Sequence, residues 1–194
     1  MNFRCILALL LTVPFLSIAA TTSTADVQQR LHGAVDEAIS VVVNAPSRAA
    51  LVERLRPVLE KHISFATMTK RAVGPGWRQF TPAQQQKATQ LFTTLIIRSY
   101  SNKFTIGERP VVSYQTAVAP ADGRVDVPST IVYQGSRYSV IYRMDKSEDW
   151  RVTDVVIEGV SLVANYRSQL DAEFKKGGAD TVLSSLTRSV SRPQ

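Results

Sequence analysis

The middle of the chain constrains its fold most, because apolar residues there recur at every second position. Such alternation predicts half-buried β-strands, which we place at 112–118, 125–133, 138–144 and 150–158. Short turns, such as Gln134-Gly135-Ser136, separate the runs, so sequential strands should pair as an antiparallel meander. Pro128 inside the second run indicates an edge strand or a bulge.

Two apolar stripes at helical spacing precede these strands. Asp26 is the expected N-cap of the first helix, and Pro57 should kink or divide the second because proline removes a helical donor. The stripes consist of Val27, Leu31, Val35, Ala38 and Val42, then of Leu51, Val52, Leu55, Leu59 and Ile63.

A third helix has the clearest start signal in the chain. Thr81 can cap it, Pro82 occupies the first helical position, and Gln84 completes a capping box. Its stripe continues for about five turns. That stripe comprises Ala88, Leu91, Phe92, Leu95, Ile96, Tyr100 and Phe104.

The last third of the chain joins a strand to a helix in one run. The β-branched residues 155–157 end a buried strand, Gly159 breaks it, and a helical stripe follows. A final helix begins after Gly177-Gly178. Helices, a meander and further helices predict an α+β fold in which a four-stranded antiparallel sheet packs against several helices.

The N-terminus is typical of a secretory signal peptide at 1–19. Arg4 precedes a short apolar run, and small residues allow cleavage after Ala19 or after Ala25. A retained membrane anchor is the alternative, but the run is shorter than the roughly 20 residues that span a bilayer. We expect the rest of the chain to form a single domain over 26–190. The only cysteine, Cys5, lies in the predicted signal peptide, so disulfides and cysteine-based zinc sites are not expected in that domain.

Positive charge is concentrated in the first half. Residues 46–109 hold eleven lysines and arginines against three acids, a local balance of +8 within a total of +7. Such a segment indicates a nucleic acid, a lipid head group or an acidic protein surface as partner, or simply a solvated helical surface. Export argues against nucleic acid.

No catalytic pattern is present. His32 and His62 have no partner at a recognised spacing, and the sequence contains no HExxH, P-loop, GxGxxG or GxSxG motif. The acids near 122–126 and 145–149 lie at turns without calcium-loop spacing. We therefore expect no enzyme, catalytic residue or metal site.

Four strings, in order, resemble the MlaC-like (toluene-tolerance) periplasmic phospholipid-binding proteins of Gram-negative bacteria. In chain order they are Ser64-Phe65, the stretch from Gly74-Pro75-Gly76-Trp77 through Thr81-Pro82-Ala83-Gln84 followed by Phe92 and Tyr100, then 155–169, and finally Gly177-Gly178-Ala179-Asp180 with Leu183 and Leu186. Ser64 departs from the family, where an aspartate is common, and this weakens a capping role there. The resemblance covers essentially the whole chain after the predicted signal peptide.

The resemblance implies a periplasmic carrier with an NTF2-like sheet and helices around an apolar pocket. Phospholipid would be its cargo, without other cofactors, and it would act as a monomer. Its partners would be an outer-membrane lipoprotein–porin complex and an inner-membrane ABC transporter with MCE-domain subunits, and its role would be to maintain outer-membrane lipid asymmetry. The direction of transport, the number of acyl chains and a hopanoid-like cargo are left open.

Candidate site residues come from the stripes that should face one another across this pocket. We expect Arg167 and Arg98 to contact the head group or a docking partner. The predicted lipid-binding residues are Leu91, Phe92, Leu95, Ile96, Tyr100, Val127, Ile131, Tyr138, Val140, Tyr142, Val160, Val163 and Tyr166. The same stripes also suit an ordinary filled core, a chaperone-like or assembly module that binds apolar protein segments, or a hydrolase on an NTF2-like sheet.

Overall fold

The computed structural model describes residues 23–192, so the predicted signal peptide at 1–19 lies outside the described residues. Five α-helices, one 3₁₀ helix (Gly74–Gln79) and six strands make up this part of the chain. The helices are α1 (Thr24–Asn44), α2 (Arg48–His62), α3 (Phe65–Val73), α4 (Pro82–Ser101) and α5 (Leu162–Ser191). The strands are β1 (Val111–Tyr114), β2 (Val118–Ala121), β3 (Arg124–Tyr133), β4 (Ser136–Lys146), β5 (Trp150–Ile157) and β6 (Val160–Ser161).

The sheet is antiparallel, as predicted, but it has six strands rather than four. Its order is β1-β3-β4-β5-β6, and β2 also pairs with β3. The run predicted as one strand at 112–118 is divided into β1 and β2, which pair with successive parts of β3. Pro128 of β3 lies opposite this interruption and accepts a bond of 2.9 Å from Gln115 N–H. Proline cannot donate to a ladder, which explains why the edge breaks there.

Two tight hairpins lie at one end of the sheet, which we call the hairpin end. Gln134 and Gly135 have φ values of 49° and 75°, and Glu158 and Gly159 have values of 50° and 78°. Two successive positive φ angles are typical of the two-residue turns whose twist matches paired strands. Gly159 therefore ends β5 as predicted, but the chain forms the short strand β6 before α5 begins.

The start of α4 agrees with its sequence signal, whereas the caps of α1 and α3 differ from expectation. Ser23, not Asp26, caps α1, and Asp26 forms the reciprocal half of the capping box. The Thr81–Gln84 capping box of α4 is confirmed. Ser64 caps α3 by accepting from Thr67 N–H, so a hydroxyl fills the position where the family often has aspartate. Pro57 lies inside an undivided α2.

The helices bury one face of the sheet and one another. One apolar cluster joins α3, α4 and α5, a second joins α1 to the sheet, and a third joins the end of α1 to α2. Gly177 and Gly178 interrupt α5 with non-helical backbone, so two helical segments close the chain as predicted. The α+β prediction is confirmed. No helix within residues 23–192 is both long enough and apolar enough to span a membrane.

Candidate functional site

An apolar cavity of about 230 Å³ lies between the sheet and helices α1, α2 and α4. Helix α1 lines it along most of its length, with the alanines Ala34 and Ala38 among its contributions. Alanine side chains are short, so they leave space between the helix and the sheet. The remaining α1 residues of the wall are Leu31, Val35, Ile39 and Val42.

The sheet forms the opposite wall. Its contribution comes from one residue each of β1, β3 and β4 and from three residues of β5. Helices α2 and α4 close the sides, and Phe104 and Pro110 follow α4 near the hairpin end. The sheet residues of the wall are Val112, Ile131, Tyr142, Val152, Val155 and Ile157.

Few polar groups face this space, and the tyrosines that do are held neutral. Burial raises the pKa of Tyr142 to about 12. Burial, reinforced by the neighbouring Tyr166, also raises the pKa of Tyr100. A low-dielectric wall disfavours the phenolate, so these rings contribute apolar surface to the cavity.

A second cleft, of about 420 Å³, adjoins the cavity at the end of the sheet opposite the hairpin end. The two spaces share Leu31, Ala34, His62 and Val152. Charged side chains of both signs line this cleft, and they pair with one another. Arg30 on α1 meets Asp149 at 2.5 Å, beside the turn between β4 and β5.

Glu37 on α1 forms the second group of charged contacts in the cleft. Its carboxylate lies 2.9 Å from His62 Nε2 and 3.1 Å from Lys61 Nζ, both at the end of α2. Hydrogen bonds from His62 and then from Lys61 lower the pKa of Glu37. These pairs tie α1 to α2 at the polar end of the cavity.

Four of the predicted lipid-binding residues line the cavity. Ile96 and Tyr100 of α4 face it from one side, and Ile131 and Tyr142 face it from the sheet. The apolar stripe of α4 and the alternating apolar residues of β3 and β4 therefore face each other across the cavity at these positions.

Five predicted residues pack instead among the helices. Phe92, Leu95 and Val163 are buried in the cluster of α3, α4 and α5, and Leu91 and Tyr166 pack against it. The Phe92 and Tyr166 rings meet edge to face with centroids 5.2 Å apart. Helix α4 is covered by α3 and α5 as well as by the sheet side, so its apolar stripe serves two interfaces.

The remaining four predicted residues belong to the sheet. Val127 is buried against Val27 and Leu31 of α1, and Val140 is buried beside the cavity wall, paired with Ile157. Tyr138 and Val160 are exposed, by 40% and 59%. All four lie on the cavity face of the sheet by register, but none contributes to the wall of the 230 Å³ cavity.

The two arginines predicted for a head group or a partner have different surroundings. Arg98 donates to the carbonyls of Val190 and Arg192, so it satisfies the C-terminal end of α5. Arg167 is exposed, and it forms no ion pair within residues 23–192. A β-carbon at Gly74 would lie 3.2 Å from Arg167 Nε, so this side chain packs over the start of the 3₁₀ helix.

Sequence reasoning missed most of the wall that α1 and α2 provide. The spacing on α1 predicts an apolar stripe, but an apolar stripe alone does not distinguish a filled core from a cavity wall. The available signal was the pair of alanines on that stripe, at positions where a larger side chain would fill the space.

The described residues enclose an apolar space with few polar groups in its wall. Among residues 23–192, no group of three or more histidine, cysteine or acidic side chains could hold a metal ion. The charged groups nearest the cavity, at Glu37 and His62, pair with each other.

Two comparisons with known proteins agree with this geometry. The family model described as "MlaC protein" matches residues 32–188. The fold is similar to the solved structure of a phospholipid-binding protein from Ralstonia solanacearum in complex with a phospholipid, with a TM-score of 0.78 and 27% identity. That match covers 84% of this chain and 96% of the other. No curated protein sequence matches the chain significantly.

Proposed function

The chain belongs to the MlaC family, and on that premise we propose that it is a carrier that binds phospholipid by its acyl chains. The observation that carries the proposal is the apolar cavity between α1 and the sheet. A structural relative with 27% identity holds a phospholipid, which supports the same cargo here.

The energetics of the cargo explain why a closed apolar space is needed. Each methylene removed from water contributes about 0.8 kcal/mol, so an acyl chain cannot cross an aqueous compartment unshielded. Aliphatic and aromatic side chains around the cavity replace the contacts that the chain loses when it leaves a membrane. A binding protein without catalysis is sufficient for this task.

The finer proposal is a periplasmic shuttle. The signal-like N-terminus and family membership support export to the periplasm. The carrier would exchange lipid with an outer-membrane lipoprotein–porin complex and an inner-membrane ABC transporter bearing MCE-domain subunits, and so maintain outer-membrane asymmetry. The excess of lysine and arginine over 46–109 suits approach to anionic surfaces.

Native mass spectrometry of the protein purified from a periplasmic extract tests the proposal. We expect co-purified phospholipid in a fixed ratio to the protein, released on denaturation in organic solvent. Protein that carries no lipid and takes none from vesicles would refute the proposal. Delipidated protein that instead protects an unfolded client would favour the chaperone-like alternative.

A further inference from the structure

Exposed apolar side chains are concentrated at the hairpin end of the sheet. The described residues include four exposed large apolar side chains, namely Val111, Val118, Tyr138 and Val160. Three of them lie at the hairpin end, and Val118 of β2 lies at the other end, paired with Asp126. Single exposed valines are common, and Val111 lies on the face of the sheet away from the cavity, because its neighbour Val112 lines that cavity.

Two of these residues continue the wall of the cavity to the surface. Tyr138 lies opposite Ile131 in the β3–β4 ladder, and Val160 lies opposite Ile157 in the β5–β6 ladder. Ile131 and Ile157 both line the cavity. Residues directly opposite one another in an antiparallel pair share a face of the sheet. Tyr138 and Val160, which we call the lip, therefore extend the apolar track from the cavity into solvent.

Three exposed cations without acidic partners lie at the same hairpin end as the lip. Lys103, Arg109 and Arg137 are exposed, and none forms an ion pair within the described residues. The loop that carries the first two is fixed at this end, because Thr105 N–H donates to the Tyr133 hydroxyl at 2.6 Å. Gln134 on the adjacent turn donates to Glu108 at 2.8 Å.

The charge balance at this end remains positive. Arg48 adds a fourth cation, whose guanidinium donates to the carbonyls of Ser101 and Phe104 at 2.6 and 2.9 Å. The acids nearby are Glu108 and Glu158, and Glu158 accepts from the backbone of Ser139. The opposite end of the cavity contrasts with this one, because its charges pair as Arg30–Asp149 and Lys61–Glu37.

We propose that the lip contacts the surface of an anionic phospholipid bilayer, with Lys103, Arg109 and Arg137 on lipid phosphates. This inference rests on the proposed function, since it gives the place where acyl chains leave a membrane for the cavity. A tyrosine and an aliphatic side chain framed by cations are typical of surfaces that enter a bilayer interface. The lip then gives an acyl chain an apolar path that avoids water.

The test compares two variants, each with its own control, in vesicle co-sedimentation. Tyr138→Ser with Val160→Ser removes the lip, and Val118→Ser is the control, an exposed valine at the other end of the same sheet. Arg109→Ala with Arg137→Ala removes charge, and Lys87→Ala with Lys146→Ala is the control. The vesicles contain phosphatidylcholine with or without phosphatidylglycerol, and the lipid carried by each variant is measured separately.

We expect the wild-type protein to bind the anionic vesicles more tightly than the neutral ones. The lip variant should lose about tenfold or more in vesicle affinity and in the rate of lipid uptake, because two interfacial side chains are truncated. Each removed arginine should weaken binding to the anionic vesicles by about fivefold. Both controls should behave like wild type in vesicle binding and in carried lipid, and the arginine variant should also carry the wild-type amount of lipid.

Several results would overturn the inference. Wild-type protein that ignores anionic vesicles, or a lip variant that binds them like the Val118→Ser control, would do so. A lip variant that binds vesicles normally but fails to engage a membrane protein complex would identify a protein-docking surface instead. A variant that loses its lipid yet keeps vesicle binding would place the lip in the pocket. A wild-type protein that binds vesicles but never holds lipid would refute the proposed function alone.

Discussion

The carboxylate of Asp154 in the middle of β5 accepts a hydrogen bond of 3.1 Å from the backbone N–H of Val163 in the first turn of α5. The same carboxylate accepts from the Ser161 hydroxyl at 2.6 Å and from Arg143 of β4 at 3.0 Å. Asp154 is buried, so one charged group joins the strand, the turn and the start of the helix. Carboxylates are favourable at helix N-termini, where backbone donors are unpaired.

Asp154→Asn should lower the free energy of unfolding by about 2–3 kcal/mol. The amide keeps the size of the side chain, but it leaves Arg143 without its nearest anion and removes a charged acceptor from α5. Denaturation in urea measures the loss. The matched control is Asp149→Asn, whose ion pair with Arg30 is exposed and should contribute less than about 1 kcal/mol. Equal losses in the two variants would contradict this account.

The run from 155 to 169 shows what sequence can and cannot predict. Alternation and the glycine were enough to predict a strand, a break and a helix. The network at Asp154 was missed because periodicity counts apolar residues only, and a polar residue inside a strand is expected to face solvent. A register shift in the β4–β5 pair, beside Arg143, also changes which strand residues share a face.

Ala38→Phe should reduce the amount of carried phospholipid while the protein stays folded. Ala38 lines the cavity from α1, and a phenyl ring there occupies space that acyl chains would use without burying a polar group. Lipid extraction and native mass spectrometry give the lipid-to-protein ratio. Ala164→Phe, on the exposed side of α5, is the control and should keep the wild-type ratio. Equal ratios for the two variants would exclude this cavity as the lipid site.

Phe92→Ala should destabilise the protein by about 3–5 kcal/mol, the usual cost of a large aromatic deletion in a packed core. Phe92 is fully buried among the helices, against Tyr166, and does not line the cavity. Chemical denaturation measures the stability, and the lipid ratio of the folded fraction should equal that of wild type. Loss of lipid at full stability would show instead that acyl chains reach this part of the molecule.

Phe92 and Ile96 also show where prediction of the site stops. The spacing on α4 correctly placed both residues on an apolar stripe. Which of them faces the cavity depends on how α3 and α5 cover the helix, and that is a property of packing between distant segments. The division of the sheet edge into β1 and β2 was not predicted for a related reason. The break between these strands depends on Pro128 in the neighbouring strand β3.

The buried phenol of Tyr142 should make stability fall at high pH. Its pKa is about 12 in the folded protein, above the ordinary value of about 10. Because the folded state retains this proton longer than the unfolded state, the contribution is complete below about pH 10 and is lost as pH rises towards about 12. Ultraviolet absorbance of the phenolates should show a late rise that is smaller in Tyr142→Phe, in which Tyr100, Tyr114 and Tyr166 still titrate late because of burial. An unchanged titration in that variant would refute the assignment.

The broken edge of the sheet also affects how copies of this protein behave towards one another. One edge is divided between two four-residue strands; at the opposite edge, the two-residue strand β6 covers the end of β5, and Ile63 bridges to Val152 farther along β5. Short and interrupted edges present too few consecutive backbone donors and acceptors to template another strand. A sheet with a wide apolar face is thus protected against edge-to-edge aggregation, so the molecule can keep that face for its cargo at high local concentration.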